Sequence, residues 1–129
     1  MSRITTAFFA AAVLYALAGI SLGIFMGASH DFTLRPLHAH INLLGWASLA
    51  LMGAFYGLAG DRAPARLAWT NFAVSNLGNL GLLSALYVIV NNGKPNLVAL
   101  LGGQAGIVLG MVLFGAAVLV AGRNPRLTA

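Results

Sequence analysis

The segment that decides the fold lies at residues 34–46 and reads Leu-Arg-Pro-Leu-His-Ala-His-Ile-Asn-Leu-Leu-Gly-Trp. It places His38 and His40 at the start of a long apolar run, in a chain with only three histidines. Proline is favourable in the first turn of a helix because its missing N–H would have no partner there. Arg35-Pro36 therefore predicts a helix start, and two histidines enter an apolar helix near one of its ends.

The composition around this segment is that of an integral membrane protein. Of the 129 residues, 60% are hydrophobic and only 7% are charged, whereas a soluble domain carries about 25% charged residues. The seven basic residues are scattered rather than clustered, which argues against a nucleic-acid partner. Because the chain has no cysteine, it has no disulfide, no thiolate metal site and no cysteine nucleophile.

Four apolar runs predict four membrane-spanning helices. The first is uncharged and about 35 Å long at about 1.5 Å per residue, enough to cross a bilayer. The helices are expected at about 4–26, 36–58, 67–90 and 96–121, with loops at 27–33, 60–66 and 91–95 and a short polar tail. The whole chain, 1–129, is therefore expected to form a single all-α transmembrane domain, a four-helix bundle embedded in the lipid bilayer.

The basic residues near the helix ends predict an orientation. Two of them, Arg35 and Lys94, are expected on one side. The other five are expected on the opposite side: Arg3, Arg62, Arg66, Arg123 and Arg126. Basic residues are enriched on the cytoplasmic side of membrane proteins, so both termini are predicted to be cytoplasmic. The protein is then a multi-pass protein of the bacterial inner membrane, with its two helical histidines near the outer face.

Small residues recur at a spacing that suits close helix packing. Glycines repeat every four residues in the first and fourth helices, at Gly19, Gly23 and Gly27 and at Gly102, Gly106 and Gly110. Such faces let helices approach closely in lipid. The pattern leaves open whether each face packs within one bundle or against another subunit.

The third helix is the polar one. Asn71, Ser75 and Asn79 lie on one stripe at i, i+4 and i+8. Polar residues in membranes commonly form hydrogen bonds between helices. The alternative is that this stripe borders a cofactor or a water-lined cavity.

The spacing of the histidine pair limits what it can bind. Residues i and i+2 of a helix point roughly 200° apart, so His38 and His40 cannot easily chelate one ion together. They could serve two separate sites, because neutral imidazole is a common metal ligand and an axial ligand of haem iron. The plainer interpretation is that both are interfacial histidines, hydrated or bonded to backbone near the helix end. His30, in the loop beside Asp31, is expected to be solvated.

A resemblance to a known family bears on this choice. Residues 34–46, continuing to residues 52–56, resemble the haem-binding helices of the haem-copper oxidase superfamily. Residues 34–38 are similar to the approach to the low-spin haem ligand on the second helix of its oxygen and nitric oxide reductases, and residues 40–44 also resemble that helix in the nitric oxide reductases. His38-Ala39-His40 resembles the His-x-His of the tenth helix, where the two histidines bind two haems on opposite sides.

The resemblance implies an assembly. The catalytic subunit of that family has twelve helices in three arcs of four, and its second and tenth helices hold equivalent positions in their arcs. One chain would then correspond to one arc, and a homotrimer would rebuild the whole. His38 of one subunit and His40 of its neighbour would hold haem b, with both histidines as ligands of a low-spin iron. Arg35 would bind a haem propionate; the alternatives are an interfacial anchor or a partner for Asp31.

Departures from the family limit the function that the resemblance implies. The copper-site histidines and their tyrosine have no counterpart, since no histidine follows His40, and both acids lie in loops. Oxygen and nitric oxide reduction are therefore not carried over. Trp46 and Tyr56 could line a haem, although helix packing or an interfacial belt explains them equally well.

The expected function is electron transfer or haem handling near the outer membrane face, with a quinone or a periplasmic cytochrome as partner. Two alternatives stay open. One is a copper- or zinc-binding membrane protein that uses His38, His40 and His30, although the absence of a carboxylate cluster does not favour a hydrolytic centre. The other is an accessory subunit without cofactor, held in a larger respiratory complex by its glycine faces.

Overall fold

A computed structural model describes residues 1–123, which contain helices and short turns only. The helices are α1 (Arg3–Ser29), α2 (Arg35–His40), a π-helix (Ile41–Ala47), α3 (Ser48–Ala59), a 3-10 turn (Gly60–Arg62), α4 (Ala65–Val90) and α5 (Leu97–Arg123). The segment Arg35–Arg62 is one continuous membrane span, called the second span below. With α1, α4 and α5 it makes four helical spans long and apolar enough to cross a membrane, which confirms the predicted all-α, multi-pass architecture. The predicted tail with Arg126 lies outside the described residues.

Helix α1 ends later than predicted. Residues 27–29, which were expected in the first loop, continue the helix, and the Ser29 hydroxyl donates a hydrogen bond to the Phe25 carbonyl at 2.8 Å. The helix stops at His30, whose φ of 53° lies in the left-handed region. Glycine and alanine alone do not end a helix in an apolar run, so the turn falls at the first polar pair, His30-Asp31.

The π-helix at Ile41–Ala47 is the feature that no sequence pattern predicted. Its wider turn is visible at Ser48, whose backbone N–H donates to the carbonyl of Leu43, five residues earlier. The Ser48 hydroxyl donates to the same carbonyl at 2.8 Å. From α4, the side-chain amide of Asn79 donates to the Leu44 carbonyl at 3.1 Å. Short π-helical segments are rare and frequently lie at functional sites, and this one directly follows the histidine pair.

Helices α4 and α5 pack closely through glycines. A Cβ added at Gly78 would lie 2.7 Å from the carbonyl carbon of Gly106, so the two backbones touch there. A Cβ at Gly103 would overlap the backbone of α4, and one at Gly110 would overlap a serine hydroxyl of α4. Gly102 meets nothing within 4 Å. Of the predicted glycine face on α5, Gly106 and Gly110 therefore pack against α4 within the chain. Gly102 does not contact α4, and its neighbour Gly103 does so instead.

The apolar core lies at one end of the bundle. Its buried members come from the start of α1, the second half of the second span and the loop after it, the start of α4 and the end of α5: Ile4, Phe8, Ala12, Leu49, Met52, Tyr56, Ala59, Ala63, Ala68, Ala117 and Ala121. Aromatic rings fill this end, with centroids 5.3 Å apart for Phe8 and Tyr56 and 5.2 Å apart for Phe55 and Phe114. Helix α1 begins and α5 ends at this end of the bundle, and the histidine pair lies toward the other.

The polar stripe of α4 joins that helix to the second span. Asn71 is fully buried and donates a hydrogen bond to the Tyr56 hydroxyl at 3.0 Å. The Ser75 hydroxyl donates to the Asn71 side-chain oxygen at 3.0 Å, and Asn79 bonds to the carbonyl of Leu44. The prediction of hydrogen bonds between helices is confirmed. Ser75 and Asn79 also border a cavity of about 20 Å³, which is room for about one water molecule.

Candidate functional site

His38 and His40 occupy the last turn of α2, before the helix widens into the π-helix. Because α2 is a regular α-helix, the predicted divergence of roughly 200° between them applies. The contacts differ accordingly. His38 is half-buried against α1, where its Nδ1 lies 2.9 Å from the carbonyl oxygen of Gly19. The His40 Nδ1 lies 2.8 Å from the carbonyl oxygen of Pro36, one turn earlier on its own helix.

These two contacts determine which ring nitrogen of each histidine carries the proton. A carbonyl oxygen accepts hydrogen bonds and cannot donate them, so Nδ1 must be the protonated nitrogen in both rings. In the neutral imidazole, Nε2 then bears a lone pair. A backbone carbonyl on Nδ1–H is the common arrangement behind a histidine that ligates a metal through Nε2. Both rings are bonded to backbone, as the plainer interpretation expects, and the same bonds leave both as potential ligands.

The glycines of α1 make room for this site rather than for another helix. A Cβ at Gly23 would lie 3.0 Å from Cε1 of His38, and a Cβ at Gly19 would lie 2.6 Å from the side-chain amide of Asn42. Gly27 meets nothing within 4 Å. Of the predicted glycine face on α1, the first two members therefore form a notch that receives His38 and Asn42 from the second span.

Arg35 lies one turn before His38 on the exposed surface. Its guanidinium carbon is 5.3 Å from the centre of the Phe32 ring. The Asp31 carboxylate instead accepts hydrogen bonds from the Thr33 N–H at 2.9 Å and hydroxyl at 2.6 Å, and these bonds lower the pKa of Asp31 below its ordinary value. Among the described residues, Asp31 is thus occupied within its own turn rather than paired with Arg35.

The remaining predicted site residues lie apart. His30 is exposed in the first loop, and within residues 1–123 no three His, Cys, Asp or Glu side chains form a group that could hold a metal ion. Trp46 is 49% exposed on the π-helix. Tyr56 is only 3% exposed and belongs to the aromatic core at the opposite end. Helix packing therefore accounts for Tyr56.

Asn42 is the site residue that the sequence prediction missed. Its amide donates a hydrogen bond to the backbone carbonyl of His38 at 2.8 Å, and its nitrogen lies 3.4 and 3.5 Å from the two ring nitrogens. The available signal was its position, four residues after a histidine in an apolar helix, which places both side chains on one face.

No protein-family model, curated protein or solved structure matches this chain. The likeness of residues 34–46 to oxidase helices therefore stays a prediction.

Proposed function

We propose that this chain is a membrane haem b protein in which His38 of one subunit and His40 of a neighbouring subunit are the axial ligands of a low-spin haem. One observation carries the proposal: each Nδ1 donates to a backbone carbonyl, at 2.9 Å for His38 and 2.8 Å for His40. That bond holds each ring in the tautomer that offers Nε2 to iron. The donor set, two neutral imidazoles, suits haem iron.

The divergence of the two rings favours ligation between subunits. His38 is bonded to α1 and His40 to its own helix, and the two directions differ by roughly 200°. One chain cannot apply both imidazoles to opposite faces of one iron from these directions. In a homotrimer, each of the three interfaces would bring His38 of one subunit close to His40 of the next, so that all helical histidines would serve as ligands. This assembly is also the one that the resemblance to the three arcs of the oxidase subunit implies.

The packing within the chain leaves apolar side chains near the histidine pair free to contact lipid or a neighbouring subunit. The apolar core lies at the other end, where α1 begins and α5 ends. At the histidine end, α1 and the second span meet through the polar contacts of His38 and Asn42 at a glycine notch. Leu43 and Trp46 are exposed beside this site, and in the proposed trimer a neighbouring subunit would cover them in place of lipid.

Arg35 supplies the charge for the site in this proposal. It is exposed and lies three residues before His38, and a guanidinium binds carboxylates such as haem propionates through charge-assisted bonds. Bound haem b supplies one-electron chemistry between ferrous and ferric iron. The proposed role is electron transfer or haem handling at the outer face of the bacterial inner membrane, with both termini cytoplasmic and a quinone or periplasmic cytochrome as partner.

An absorption spectrum of the protein purified from membranes tests the proposal. We expect a Soret band with sharp reduced α and β bands, a pyridine haemochrome typical of haem b, one haem per chain, and a trimer by native mass spectrometry. A haem-binding monomer would contradict the intersubunit site. Copper or zinc in place of haem would favour the metal-protein alternative, and absence of both would favour an accessory subunit.

A further inference from the structure

The side chain of Asn42 contacts the candidate ligand His38 from one helical turn away. Its amide nitrogen lies 2.8 Å from the backbone carbonyl oxygen of His38, which accepts a hydrogen bond from it. The same nitrogen lies 3.4 Å from Nδ1 and 3.5 Å from Nε2 of the imidazole. One amide thus holds the backbone of His38 and touches its ring.

The two ring distances place the amide over a face of the imidazole. A nitrogen almost equally far from Nδ1 and Nε2 lies on the axis of neither the Nδ1–H bond nor the in-plane lone pair of Nε2. An in-plane position at those distances would bring the amide into overlap with Cε1, so it lies above the ring. The Nδ1–H remains directed at the Gly19 carbonyl, and the Nε2 lone pair remains directed away from Asn42.

The ring is therefore held in three directions by this chain alone. Gly19 accepts from Nδ1 at 2.9 Å, Gly23 closes the Cε1 edge, and Asn42 covers one face. Gly19 has a second part in this arrangement, because a Cβ there would lie 2.6 Å from the Asn42 amide. The notch on α1 is the space that lets Asn42 lie over the ring.

We propose that Asn42 is a positioning residue that sets the plane of the His38 imidazole. The inference deepens the proposed function and rests on it where haem is concerned. The orientation of an axial imidazole plane influences the electron paramagnetic resonance spectrum of low-spin ferric haem, and groups behind a ligand tune the metal centre. Asn42 would thus adjust the electronic structure of the haem without touching the iron.

Three substitutions separate this role from a structural one. Asn42→Leu removes both contacts. Asn42→Thr keeps a donor for the carbonyl four residues earlier, as Thr70 has toward the Arg66 carbonyl at 2.9 Å, but leaves the ring face uncovered. Asn76→Leu is the matched control, because Asn76 makes the same bond to the Phe72 carbonyl at 2.8 Å on α4.

The first measurement needs no haem. In the haem-free protein labelled with ¹⁵N-histidine, we expect the His38 ring nitrogens to show one Nδ1-protonated tautomer. In both Asn42 variants these His38 resonances should shift, because a ring free to tilt makes a weaker Nδ1 hydrogen bond to the Gly19 carbonyl, while those of His40, which is bonded to Pro36, stay unchanged. Asn76→Leu should leave both histidines as in the wild type. Unchanged His38 resonances in Asn42→Thr would overturn the proposal.

The second measurement uses the haem-loaded protein. Asn42→Thr should retain one haem per chain and a low-spin absorption spectrum, but shift the largest g value and the midpoint potential. Wild-type values in Asn42→Thr would overturn the inference even if Asn42→Leu fails to fold. If the wild type binds no haem, the proposed function fails, and the ¹⁵N measurement still decides whether Asn42 positions the ring.

Discussion

The Nδ1 atom of His38 lies 2.9 Å from the carbonyl oxygen of Gly19, so a histidine of the second span is bonded to the backbone of α1. His40, two residues later, is bonded to Pro36 of its own helix instead. The position of His38 therefore depends on how α1 packs against the second span, whereas that of His40 depends on the helix start alone.

Removing either helical histidine should abolish low-spin haem. If His38 and His40 are the two axial ligands at a shared interface, His38→Ala and His40→Ala each leave the iron with one imidazole. We expect the sharp α and β bands to be lost in both variants. His30→Ala is the control, because His30 is exposed in the first loop, and it should keep the wild-type spectrum. If either single variant at position 38 or 40 retains that spectrum, the intersubunit site is wrong.

The notch on α1 should be sensitive to a single methyl group. A Cβ at Gly23 would lie 3.0 Å from Cε1 of His38, tighter than ordinary contact, whereas one at Gly27 meets nothing within 4 Å. Gly23→Ala should displace the imidazole by a few tenths of an ångström, with a measurable fall in haem affinity. Gly27→Ala, one turn later on the same helix, should bind haem as the wild type does. Equal affinities in the two variants would show that His38 does not lie in the notch when haem is bound.

Much of the fold follows from the sequence, because membrane spans depend on long apolar runs and polar breaks. Arg35-Pro36 gave the start of the second span, and Asn71 and Asn79 were correctly predicted to bond to another helix. The end of α1 was misplaced because Gly27 was expected to end the helix, whereas the helix continues through it to Ser29. These features depend on the hydropathy and polarity of each segment, which can be read directly from the sequence.

The details of the site depend on which helices meet, and a sequence does not display that. The periodicity of Gly19, Gly23 and Gly27 indicates a close approach, but not that side chains of the second span fill the space at Gly19 and Gly23. The π-helix could not be predicted from the sequence either, because one of its carbonyls, that of Leu44, accepts a hydrogen bond from Asn79 on another helix. The contact of Asn42 with the His38 ring could not be predicted either, because it depends on the space that Gly19 of α1 leaves for the Asn42 side chain.

The contact between α4 and α5 should distinguish two adjacent glycines. A Cβ at Gly103 would overlap the backbone of Gly81 and Leu82, while one at Gly102 meets nothing within 4 Å. Because backbone atoms cannot move aside as a side chain can, Gly103→Ala should force the helices apart and destabilise the protein by about 1–3 kcal/mol. Gly102→Ala should show no loss. Thermal unfolding in detergent measures both, and equal midpoints for the two variants would contradict the observed register of α4 and α5.

The orientation in the membrane can be tested with single thiols, because the chain has no cysteine of its own. Thr33→Cys places an exposed thiol in the loop at the histidine end, and Ala65→Cys places one at the opposite end, where α1 begins and α5 ends. The excess of basic residues near that opposite end predicts that it is cytoplasmic. A membrane-impermeant maleimide should therefore label Thr33→Cys in intact spheroplasts and label Ala65→Cys only after lysis. Labelling of both in detergent controls for accessibility. The reverse pattern would move the histidine pair to the cytoplasmic face and exclude a periplasmic cytochrome as its redox partner.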